Sequence, residues 1–152
     1  MTRAIRTSLL FVLAAALLAL QPTADAARRQ TDEEVAQAAV TKIETAFNKS
    51  KTKIISIGEG TVASINRLQA RNTTPSKVTA AAVKAKRDIA KQLVSGQKTL
   101  NSEAMKGVKA LDKRNAPLFL REQINETKST RSTELETVAL DCYNAIDGAL
   151  AD

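Results

Sequence analysis

Arg87, Lys98 and Lys109 follow one another at eleven-residue intervals, Lys91 and Lys113 stand two such intervals apart, and so do Lys84 and Lys106. Eleven residues close three turns of a helix at about 3.67 residues per turn, so a spacing of eleven returns a side chain to the same edge. If this segment is helical, all seven cations share one ridge, with Arg87, Lys98 and Lys109 at its centre. A rigid row of ammonium and guanidinium groups attracts a polyanion by releasing its counter-ions, with no reading of sequence or shape. Anionic envelope polymers, anionic lipid head groups and extracellular nucleic acid are the partners that such chemistry admits.

Other residue types that do chemistry are sparse. The 152-residue chain has no histidine, which removes the commonest general base and metal ligand and excludes serine–histidine and cysteine–histidine catalysis within this chain. The carboxylate pairs Glu33/Glu34 and Glu134/Glu136 read as solvated helix faces, because nothing in the pattern buries them. Cys142 is the only cysteine, so no internal disulfide is available. It falls in an apolar stripe and reads as a small buried hydrophobe, with an intermolecular disulfide as the alternative. Phe47, Phe119 and Tyr143 are the only aromatics beyond residue 26, too few for a base- or sugar-stacking platform. Neither a cofactor nor a metal is expected, and no small-molecule substrate. Three triplets, at Asn48, Asn72 and Asn125, match the N-glycosylation acceptor pattern.

The elements that would carry the ridge are legible from the same period. Val78, Ile89, Leu100 and Leu111 are spaced by eleven; so are Ala82, Leu93 and Ala104, and Ala85, Gly96 and Gly107. These rows predict one long helix with a single apolar stripe. The small third row predicts a neighbouring backbone passing close. Val83, Val94 and Met105 share another row, read as widening the stripe so that it touches two helices. Upstream, Val35, Ala46, Ile57 and Leu68 form one apolar row and Ile43, Ile54 and Ile65 a second. Thr31 followed by Glu34 is a capping box. Gly58-Glu59-Gly60 is a soft point or a break, at about 1 kcal/mol per glycine against alanine. Asn72-Thr73-Thr74-Pro75 and Asn115-Ala116-Pro117 are turns, with Thr74 a candidate cap and Pro75 suited to the first helical position. In the last segment Leu120, Ile124, Leu135, Cys142 and Ile146 repeat the phase of the second, and Gly148 is a candidate terminator. The expected fold is all-α: an elongated antiparallel three-helix bundle over about 31–72, 75–114 and 117–148, since short connections make consecutive helices antiparallel.

Charge divides between the last two segments. Pro75–Arg114 holds ten basic and three acidic residues, whereas Asn115–Asp152 holds three basic and seven acidic. Folding back about Asn115 places Lys98 level with Glu134, Lys91 with Asp141 and Lys106 with Glu126, as weak pairs through solvent. Ahead of the bundle, Arg3 and Arg6 precede an apolar run from Leu9 to Leu20, and Ala24-Asp25-Ala26 offers a cleavage site. Residues 1–26 therefore read as a signal peptide cut after Ala26, with residues 27–152 the bundle domain of a secreted or periplasmic protein. The function that follows is an exported, non-enzymatic structural or interaction protein, with an unidentified protein partner or self-association along its long sides. The alternatives are a polyanion-binding module using the ridge, and a reversible binder of anionic lipid surfaces. The eleven-residue period is similar to that of synuclein-like and apolipoprotein-like chains, though the Lys-Thr-Lys-Glu-Gly-Val type of unit is absent.

Overall fold

The computed structural model describes residues 30–151. The signal-peptide reading of residues 1–26 lies outside the described residues. Three helices, α1 (Asp32–Ala70), α2 (Pro75–Asp112) and α3 (Leu118–Ala151), pack each against the other two as an all-α bundle. At about 1.5 Å per residue they run about 50–60 Å each.

Helix α1 starts as its sequence predicts. Thr31 Oγ1 accepts from the Glu34 amide at 3.1 Å, and Glu34 Oε2 accepts from the Thr31 amide at 3.0 Å. The Gly58-Glu59-Gly60 stretch is helical throughout, so neither a break nor an interruption follows from it. Gly58 is there for space: a methyl group at its Cα would fall 2.7 Å from Cys142 Sγ. Gly96 and Gly107 hold α2 against α1 in the same way, where added methyls would fall 2.9 Å from Ser50 Cβ and 2.5 Å from Ala39 Cβ.

Both turns use one device. Asn72 and Asn115 take the left-handed conformation, at φ 51° and 52°. The amides of Thr73 and Ala116 return to the carbonyls of Leu68 and Leu111, each at 3.1 Å. This is the Schellman ending, with asparagine where glycine is commoner. Thr74 precedes α2, but its side chain makes no capping bond; the Lys77 amide donates instead to the Thr74 carbonyl at 3.0 Å.

Three side chain–side chain contacts fix the pairing of α2 with α3: Lys86 with Asp147, Gln97 Nε2 to Glu136 Oε1 at 2.6 Å, and Arg121 Nη1 to Asp112 Oδ1 at 2.7 Å. They match the predicted level to within one residue. The level charges Lys98 and Glu134, Lys91 and Asp141, and Lys106 and Glu126 make no contact ion pair among the described residues; nearer partners are taken. Lys91 turns to Asp88 at 3.7 Å, Lys106 to Glu103 at 2.6 Å, and Glu134 accepts from Arg131 at 2.6 Å.

The core follows the expected rows on α2. Val78, Ala82, Ala85, Ile89, Gly96, Leu100, Ala104, Gly107 and Leu111 are all buried, and Leu93 is half-buried. On α1 the stripe is turned by one position. Ile43, Ile54 and Ile65 are fully buried, but the next row is Ala36, Phe47 and Gly58, while Val35, Ala46, Ile57 and Leu68 flank the core. Two further expectations are corrected. Val83, Val94 and Met105 are exposed, because they lie on the far side of α2 from its buried stripe. Helix α3 does not stop at Gly148 but continues to Ala151, held by burial of Ala149 and a 3.1 Å bond from Gln69 Nε2 to the Ala149 carbonyl.

Candidate polyanion-binding site

A straight helix with its apolar rows turned inward leaves the opposite edge to water. Lys84, Arg87, Lys91, Lys98, Lys106 and Lys109 on α2, and Lys113 just past its end, are all exposed. Lys91 and Lys106 are engaged by acids of their own helix. Lys84, Arg87, Lys98, Lys109 and Lys113 have no ion-pair partner among the described residues. From Lys84 to Lys113 the edge runs about 44 Å, with successive cations about 7 Å apart on average. That spacing is below the Debye length of about 8 Å at physiological ionic strength, so the fields of neighbouring cations add. Few acids interrupt them: Asp88 and Glu103 are only partly exposed, and Asp112 accepts from Arg121 Nη1 at 2.7 Å.

A second charged cluster escaped the sequence reading. No hydrophobic residue occurs on α3 from Asn125 to Glu134, a gap of nearly three turns in its apolar stripe. Phe47 of α1 is 4% exposed, and the Arg131 guanidinium lies over its ring at 5.0 Å. Arg131 Nε donates to Glu44 Oε1 at 2.8 Å and Nη1 to Glu134 Oε1 at 2.6 Å. Those two carboxylates hold the guanidinium above its already high range. Lys51 sits over the same ring at 5.6 Å. A hydrophobic-periodicity search passes over this cluster, because an arginine occupies the stripe position. The signals available were Phe47 as the sole aromatic of α1 and an acid three residues from it on the same helix. With both partners in place, Arg131 is a packing cation.

Cys142 lies half-buried in a groove of about 590 Å³ between α1 and α3, beside Gly58, Val62 and Val138. Its thiol donates to the Ile54 carbonyl at 3.7 Å. Burial, and then the negative charges of Asp141 and Glu59, push its pKa up, which suppresses the thiolate that a nucleophile or metal ligand requires. Glu33 and Glu136 are exposed and Glu134 is tied to Arg131. Among the described residues no three His, Cys, Asp or Glu side chains converge on a point, and no helix is long and apolar enough to cross a membrane. No protein-family model, curated protein or solved structure matches the chain.

Proposed function

We propose that this is an exported, non-enzymatic helical interaction protein, and that it works by holding anionic polymers or surfaces along the outer edge of α2. One observation carries the reading: Lys84, Arg87, Lys98, Lys109 and Lys113 stand on one edge without acidic partners among the described residues, while Asp147, Asp32 and Glu44 are used in pairs across helices. Structural charge sets the register at Lys86–Asp147, Arg114–Asp32 and Arg131–Glu44; the edge cations set none of it. Export is supported by Arg3, Arg6, the Leu9–Leu20 run and Ala24-Asp25-Ala26.

The test is retention on immobilised heparin as salt is varied. Counter-ion release makes log affinity fall linearly with log salt, by about 0.7–0.9 per phosphate-like contact. Replacing Arg87, Lys98 and Lys109 together by glutamine is expected to flatten that slope by two to three. Equal retention of wild-type and triple variant would refute the assignment to this edge.

A further inference from the structure

Among the described residues six large hydrophobic side chains are exposed: Val83, Val94 and Met105 on α2, and Leu118, Phe119 and Leu140 on α3. Helix α1 has none. Val83, Val94 and Met105 are spaced by eleven and form one column; Leu118 and Leu140 are two such steps apart and form another. At about 98° per residue, each column stands about 130° from the centre of its own helix's buried stripe. Both are turned the same way, outward past the contacts that join α2 to α3. Lys86–Asp147 and Gln97–Glu136 set the levels, which place Val94 beside Leu140, at 50% and 56% exposed. The outer α2–α3 face therefore carries two parallel apolar columns. Beyond the α2 column come Arg87, Lys98 and Lys109; beyond the α3 column come Glu122 and Glu126, both exposed.

We infer that this face binds a second copy of the chain, through a two-fold axis running parallel to the helices. That operation lays each α2 on its partner's α3. Val94 then meets the partner's Leu140, and Lys109, level with Glu122 in the α2–α3 register, meets the partner's Glu122. An in-plane axis across the helices would set α2 on α2 and oppose its cations, which is repulsive. The face has the area required: two helices about 50 Å long and about 18 Å wide together present about 900 Å², against about 800 Å² per partner in a standard interface. An anionic bilayer fits it less well, because Glu122, Glu126, Glu136 and Asp147 lie on the same face and repel a uniformly negative plane, whereas a second copy answers both signs. Lys84, Lys91, Lys106 and Lys113, farther round α2, stay in solvent in this dimer, so it goes beyond the anion-binding reading and does not depend on it. Cys142 is on the other side of α3, toward α1, so no disulfide is involved.

Sedimentation equilibrium of the full chain between about 1 and 100 μM, with reductant, tests the inference. A dimer is expected, and Val94→Lys or Leu140→Lys should weaken it at least tenfold while helicity and Tm hold, both positions being exposed. Lys109→Glu should weaken it as well, and adding Glu122→Lys should restore it, a rescue that only a Lys109–Glu122 contact across the two-fold axis produces. A monomer at 100 μM overturns the inference, and so does a dimer indifferent to Val94 and Leu140. Wild-type protein that stays monomeric but binds phosphatidylglycerol vesicles through Val94 also overturns it, making the face a lipid-binding surface. Heparin retention of Val94→Gln, which adds no charge beside the cationic edge, reports on that edge separately.

Discussion

Arg131 and Lys98 are cations on neighbouring helices, about one turn apart in level, and the bundle treats them in opposite ways. Arg131 lies across Phe47 and donates to Glu44 and Glu134. Lys98 is exposed with no acid in reach among the described residues. The first closes a gap in an apolar stripe and spends its hydrogen bonds inside the fold. The second adds to a field along α2 that the fold leaves uncompensated. Positive charge by itself therefore says nothing about role in this chain; what lies within about 4 Å of it does. Surface charges near one another in water interact weakly, whereas a guanidinium with two carboxylates and a ring is held in place.

The largest blow to the packed region is Phe47→Ala, which empties the ring site under Arg131 and should cost about 3–5 kcal/mol in chemical denaturation. A cost below about 1 kcal/mol would mean the ring is not part of the core. Gly107→Ala comes next. Its new methyl meets Ala39 Cβ at 2.5 Å, and overpacking of that kind costs about 1–3 kcal/mol. Gly60→Ala is the matching control on the solvent side, where nothing lies within 4 Å; it should stabilise by about 0.5–1 kcal/mol. Arg131→Gln should lose about 1 kcal/mol, since its partners are partly exposed and screened, with heparin retention little changed. Lys98→Gln should do the reverse, with stability within about 0.5 kcal/mol and a shallower salt slope. If the two substitutions behave alike, the distinction between packed and bare cations fails. The smallest effect concerns Cys142. Its pKa is raised in the folded state, so the fold keeps that proton longer than the unfolded chain does. Its contribution is complete below the usual thiol range of about 8.5 and is lost as pH rises through the higher folded value. Thermal melts from pH 7 to 10 should show a decline that Cys142→Ala reduces.

Much of this was open to inspection of the residues. The rows on α2 are buried as their spacing implies, because an eleven-residue beat keeps one stripe on one side of a straight helix. The cations are exposed for the same reason, being on the slots opposite. On α1 the buried stripe lies one position from the one that periodicity predicts, because isoleucine and leucine outweigh alanine and glycine in any hydrophobic tally. Ala36 and Gly58 face inward because a small residue fits where a neighbouring helix comes close. Gly148 looked like a terminator, but no contact or strain ends the helix there, and Ala149 with Leu150 packs beyond it. The same beat that places the core also hid the outer column, since Val83, Val94 and Met105 follow it faithfully on the wrong side.

By itself the amino-acid order determined that there are three helices, where they turn, which face of α2 is greasy and which is cationic. Those follow from local properties: period, capping groups, and the φ freedom of Asn72 and Asn115 beside prolines that cannot continue a helix. Only the tertiary structure decided which charges find a partner, which glycines are spacers, and that α2 and α3 keep two apolar columns in water while α1 keeps none. Those depend on side chains brought together from distant parts of the chain, as when Glu44, Phe47 and Arg131 meet, and periodicity along one helix holds no record of the register of the next.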